Sequence, residues 1–220
     1  MKILFGKPKL EYCKLNADGS FGAWTTLPTP KEDSTSLETN EGTDLEAREE
    51  GGEVVDRIGQ ASSYALSFEL FKKKGDAFPM SEDESRGIVS GEYAIRVTSD
   101  IDSEAPGYQI DRASVKTARL YSAGDTYRKQ YTFSALKPTN GDTVKDIENT
   151  KATADASQGE CTVTLLESGM TVPVSHPDFQ TATVSGTTLS LKLASGKTGG
   201  VIEVTGKSLI QVVTVTKASA

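Results

Sequence analysis

Histidine is nearly absent from this chain. Its 220 residues include one, His176, in "SHPDF", where the adjacent proline implies a loop. Catalytic triads, zinc sites with several imidazole ligands and imidazole general bases therefore share a single candidate. Cysteine is scarce as well. With no leader in view, Cys13 and Cys161 are expected to be reduced, small and partly buried. The opening "MKILFGKPKL" has an apolar run of three before Gly6, too short for the apolar core of a secretory leader, so no signal peptide is expected. No apolar run is long enough for a transmembrane helix. Helix signals are few, and there is one tryptophan.

What is present is a charged, globular composition. Hydrophobic residues make up 36% and charged residues 25%, which separates the chain from disordered sequences. The net charge of −7 is unevenly placed. Residues 31–56 hold ten acids against Lys31 and Arg48, whereas 151–220 hold five of each sign. A protein that grips nucleic acid through its phosphates carries the opposite balance.

The hydrophobic pattern has a period of two. In "SSYALSFELF" (62–71), Tyr64, Leu66, Phe68 and Leu70 share one face, as in a half-buried strand. "GEYAIRVT" (91–98) places Tyr93, Ile95 and Val97 inward, and "RASVKTARLY" (112–121) and "YRKQYTFSAL" (127–136) follow. "LEYCKL", "NADGS" and "FGAWTT" read as a hairpin turning at Asp18-Gly19. Fourteen of the fifteen aromatics precede residue 150, and "DTVKDIENTKATADASQGE" suits a linker or exposed connection. Beyond it, "CTVTLL", "TTLSLKL", "GVIEVT" and "LIQVVTVT" read as short strands. The expected class is mainly β with at most a short helix. The expected division is 1–150 as a β-sandwich or partial barrel, and 151–220 as a small immunoglobulin-like sandwich or as strands completing the first sheet.

Motifs that would carry chemistry fail on spacing. "SGKTGG" (195–200) contains Gly-Lys-Thr, but Leu191 stands where a phosphate loop needs its first glycine, so a hairpin turn is expected. "DIDSEAPGYQID" (100–111) spaces acids like a calcium loop, yet has Ala105 at the obligatory glycine and Pro106 next; a solvated loop is expected. Paired carboxylates, Glu49/Glu50, Glu82/Asp83/Glu84 and Asp100/Asp102, sit in polar runs typical of solvated loops. No catalytic residue, metal site or cofactor is expected. "PMSEDESRG" (79–87) suits a short helical turn. "TNEGTDLEAREEGGEVVDR" (39–57) fits either two helical turns, with Thr43 as N-cap, or the acidic arm of a long hairpin bent at Gly51-Gly52. Its acids Glu41, Asp44, Glu46, Glu49, Glu50 and Glu53 are candidates for a subunit contact or a surface facing a polyanion. Lys72, Lys73 and Lys74 in "FKKKG" are the candidate basic counterpart across a subunit contact.

The run "LPTPKEDSTSLETNEGTDLEAREEGGEVVDRIGQASSYALSFELF", with "GIVSGEYAIRVTSDIDSEAPGYQIDRASV" and "YTFSALKP", resembles the tail tube (major tail) proteins of bacteriophages, of the kind found in phages and prophages of Bacteroidetes. The resemblance covers about residues 1–145 and rests on element order and on "EGGE", "LSFELF" and "YTFSALKP". It implies a non-enzymatic virion protein. Six copies would form a ring through inter-subunit sheet, and rings would stack into a tube conducting DNA without specific binding. It further implies a long hairpin reaching a neighbouring ring, other tail assembly proteins as partners, no membrane, and a place in the virion tail after assembly in the host cytoplasm. An inner tube of a contractile injection system is the related reading. An immunoglobulin-like domain after the tube domain occurs in the family and would fit 151–220. The alternatives are a β-sandwich adhesion or binding module of a bacterial surface or pilus, and a glycosidase-like enzyme with opposed carboxylates.

Overall fold

A computed structural model describes residues 7–101, 104–122 and 125–219. Asp102 of the acidic loop, and the start of the chain on which the leader expectation falls, lie outside them. The described residues form strands, turns and loops with no helix. In chain order the strands are β1 (Pro8–Lys14), β2 (Thr25–Thr26), β3 (Ser36–Asn40), β4 (Leu45–Arg48), β5 (Val54–Ile58), β6 (Ser63–Phe71), β7 (Glu84–Ser85) and β8 (Ile88–Ser99), then β9 (Gly107–Ser122), β10 (Asp125–Ala135), β11 (Val144–Ala154), β12 (Glu160–Thr164), β13 (Phe179–Ser185), β14 (Thr188–Leu193), β15 (Gly199–Thr205) and β16 (Leu209–Lys217). The mainly β class expected from the sequence is what the chain adopts. The chain divides into two compact units: one of Met1–Tyr12, Ile95–Asp111 and Lys137–Ala220, the other of Cys13–Ala94 and Arg112–Leu136. We call them the C-terminal and the central unit.

The central unit is built on β10. It pairs antiparallel with β6, Tyr131 opposite Phe68 and Phe133 opposite Leu66, and with β9, Phe133 opposite Val115. The period of two puts Leu66, Phe68, Leu70, Tyr131, Phe133 and Val115 on one face, and all are buried. Phe68 stacks on Tyr131 and Phe133, with ring centroids at 5.4 and 5.9 Å. Cys13 and Tyr93 are buried in the same unit. The "NADGS" hairpin forms as read: Asn16 N donates to Ser20 O, and the Asp18 carboxylate accepts from Ser20 N. The helical turn expected in 79–87 is not there. Glu84 and Ser85 instead pair with Val89 and Ile88 across a two-residue turn, Arg86-Gly87, in which both residues have left-handed φ. That local turn chemistry overrides the weak helix signal. Strand β3 was not legible, because in "SLETN" only Leu37 is half-buried; its ladder to β6 holds it.

In the C-terminal unit, β12-β14-β13 form one sheet and β15-β16-β11 pair in another. Their inward residues, among them Val163, Leu189, Leu191, Ile202, Val204, Val213 and Val215, share a single apolar cluster. The polar stretch expected as a linker or an exposed connection contains strand β11, which pairs parallel with β16 and antiparallel with β9. Parallel neighbours need a long crossover, and the intervening strands supply it. "SGKTGG" does not close a hairpin: β14 and β15 lie in different sheets, so this turn carries the chain between them. Strand β13 escaped the sequence reading, since Phe179 is its one fully buried side chain.

A series of polar contacts runs through this unit. The Arg96 guanidinium holds the Glu203 carboxylate through Nη1 and Nη2 at 2.6 and 2.9 Å, and its Nε donates to Gln109 Oε1. Gln109 Nε2 donates to Asp111 Oδ1, and Asp111 Oδ2 lies 2.8 Å from the buried Lys145 Nζ. Each buried polar group in this series thus has a partner.

Candidate interaction surfaces

The acidic stretch folds as a hairpin, not a helix. Strands β3 and β6 form its stem, from Ser36 opposite Ser67 to Asn40 opposite Ser63. At its waist Gly42 lies so near the opposite arm that a Cβ would meet Gln60 O at 2.0 Å. The arms resume as β4 and β5, a two-stranded sheet of their own, with Leu45 opposite Ile58 and Glu46 opposite Arg57. Gly51 and Gly52 close the tip with φ of 115° and 90°, conformations open to glycine and strained for other residues. Glu49 N donates to Glu53 O, and Gly52 N to Glu49 O.

From Glu41 to Ser63 every residue is exposed except Gly42 and Glu46, which are half-buried. The acids of this hairpin therefore differ in role. Glu46 is held within it: Oε2 accepts from Arg48 Nη2 at 2.5 Å, and Oε1 from Arg57. Asp44 lies 3.8 Å from Arg57. Among the described residues Glu41, Glu49, Glu50 and Glu53 have no ion-pair partner. The hairpin also presents apolar side chains to water, which charge counting overlooked: Leu45, Val55 and Ile58 are each more than half exposed.

The lysines of "FKKKG" follow β6. Lys73 and Lys74 lie in an exposed turn, while Lys72 reaches a recess in the central unit. This recess, of about 380 Å³, is lined by Lys72, Phe78, Glu84, Arg86, Arg119, Tyr127 and Lys129 among others. Lys129 is buried at its floor, paired with Glu84, with Nζ 5.3 Å from the Phe78 ring centroid and 5.7 Å from that of Tyr131. Glu84 also accepts from Thr117 Oγ1 at 2.9 Å. Burial pushes the Glu84 carboxyl up, but the bonds from Lys129 and Thr117 and the charges of Lys129 and Arg119 outweigh it and hold the group below its usual range. Glu84 is thus no solvated loop residue. Sequence reasoning missed Arg86, Arg119 and Lys129. Lys129 had left a signal: it sits on the inward face of "YRKQYTF" with Tyr127, Tyr131 and Phe133, where a lone charge demands a partner.

Several of the residues weighed for catalysis or metal binding have partners within the chain. The calcium-like stretch is not the solvated loop expected, since from Gly107 on it is strand β9 with Gln109 and Ile110 buried, and its Asp100, Glu104 and Asp111 pair with Lys7, Lys151 and Lys145. Asp83 accepts from Lys14 Nζ at 2.7 Å and from Tyr93 Oη at 2.8 Å, which holds it below the usual carboxylate range. His176 Nδ1 accepts from Asp178 N at 3.2 Å, a contact that shapes its own loop. Neither Cys13, which is buried, nor Cys161, which is half-buried, is in a disulfide.

No family model matches the chain, and no curated protein matches it. Among solved structures it is similar to the sheath/tube terminator of an extracellular contractile injection system, PVC, in its extended state. That likeness covers 63% of this chain and 92% of the other, at 13% identity and a TM-score of 0.39, too distant to carry an argument about function.

Proposed function

We propose that this chain is a non-enzymatic structural subunit of a phage-type tail. Copies assemble into rings, six to a ring, that stack into a tube through which DNA passes. The hairpin from Glu41 to Ser63 carries this reading. A two-stranded ribbon is marginal in water by itself, and this one leaves Leu45, Val55 and Ile58 exposed. Such a ribbon is stabilised by a partner that covers it. Strand β3 adds a second opportunity, since its one ladder among the described residues is to β6 and its other edge is open for a neighbour's strand. The phrases "EGGE", "LSFELF" and "YTFSALKP" support the tail tube assignment by resemblance. The acidic excess of 31–56 suits a wall along which DNA slides, because carboxylates repel phosphates that lysines would hold. The strands of 151–220, which share the C-terminal unit with β11 and the start of β9, serve in this reading as the immunoglobulin-like part of that unit.

Negative-stain microscopy and light scattering of concentrated protein test the proposal. Rings or tubes are expected. A chain that stays monomeric at high concentration, even with tail assembly partners present, sinks it. Assembly of full-length protein without the hairpin tip (44–58 replaced by a short Gly-Ser turn) would show that the ribbon is not the contact.

A further inference from the structure

We propose that the basic recess of the central unit receives the acidic hairpin tip of a second copy of this chain. The inference rests on the assembly reading and names the partner of its contact. Four cations, Lys72, Arg86, Arg119 and Lys129, line the recess against one carboxylate, Glu84. Glu84 is already committed to Lys129 and Thr117. Lys72 Nζ donates to the neutral carbonyl of Asp76, and Arg86 and Arg119 have no ion-pair partner among the described residues. Three positive groups around one recess repel each other, and an arriving carboxylate relieves that repulsion. Guanidinium groups bind carboxylates through paired hydrogen bonds. Phe78 and Tyr127, packed edge-on at 5.8 Å, offer an apolar wall for the methylenes of a glutamate.

The hairpin tip supplies the complement. Glu49, Glu50 and Glu53 stand on a turn closed by Gly51-Gly52, exposed and without ion-pair partners among the described residues. Glu46 and Asp44 are taken up by Arg48 and Arg57, whereas the three acids at the tip keep their charge uncompensated. No hydrogen bond or ion pair among the described residues joins this tip to the recess of its own chain. A nucleic acid is the weaker fit: the cations ring one recess with a carboxylate at its floor and do not form a stripe along a phosphate backbone.

Three variants of the full chain test the pairing: R86E/R119E, E49K/E50K, and the four substitutions together. Each double variant places like charges in contact and should raise the concentration for half-assembly about tenfold or more. The combined variant restores opposite charges in swapped positions and should assemble near the wild-type concentration, which a simple folding defect does not allow. Unchanged assembly of R86E/R119E overturns the inference while leaving the assembly reading intact. Two defects without rescue in the combined variant also overturn it. Normal assembly of R86E/R119E with lost retention of duplex DNA overturns it in favour of a phosphate site. A wild-type chain that never assembles removes both proposals.

Discussion

Glu84 compensates Lys129. The lysine is 2% exposed, and the carboxylate reaches it from the two-stranded turn of β7 and β8. A strand whose neighbouring inward positions are Tyr131 and Phe133 tolerates an ammonium there because a carboxylate and two aromatic faces surround it. The pair also sets the floor of the recess.

Glu84→Gln leaves the buried ammonium uncompensated and should destabilise the protein by about 3 kcal/mol, read as a lowered midpoint in urea unfolding. The pH dependence has a definite sign. The Glu84 carboxyl is held below its ordinary value of 4.5 in the fold, so its contribution is complete above 4.5. It is lost as the pH falls through the lowered folded value. The acid limb of the stability profile should flatten in the variant, and no change in slope between wild type and variant would refute the pairing.

Leu45→Ser with Ile58→Ser removes the exposed cross-strand apolar pair of the hairpin. Because neither side chain is buried in the chain itself, unfolding free energy should change by about 0.5 kcal/mol or less. Assembly monitored by light scattering should fall sharply. Loss of stability without loss of assembly would mean the pair serves the fold of the single chain.

Phe68→Ala opens the aromatic stack with Tyr131 and Phe133. A cost of about 3–5 kcal/mol is expected, measured by chemical denaturation. A much smaller loss would show that the neighbouring strands collapse into the space.

Gly42→Ala forces a methyl against the carbonyl of Gln60 and should spread the hairpin waist. Faster proteolysis between 41 and 62 and weaker assembly are expected, with core exchange rates of β6 and β10 unchanged. Protection of the hairpin equal to wild type would count against the close approach.

The sequence by itself determined the class and much of the central sheet. Alternation in "SSYALSFELF", "GEYAIRVT" and "YRKQYTFSAL" is a local signal, since a strand's two faces are written two residues apart. The glycine pair at 51–52 is a local signal of the same kind, marking a bend because left-handed backbone favours glycine. Tertiary structure decided the rest. Strands β3 and β13 carry almost no buried side chains and exist through backbone ladders to distant partners. Strand β11 reads as a linker until β16 and β9 pair with it. The recess brings Lys72, Glu84, Arg119 and Lys129 together from separate strands and turns, and no spacing along the chain encodes a meeting that depends on strand register. Within the acidic stretch Glu46 is held by Arg48 and Arg57 while Glu49, Glu50 and Glu53 are not, because Arg57 lies opposite Glu46 and Arg48 two residues along its strand, and Gly51-Gly52 turns the tip acids outward to solvent.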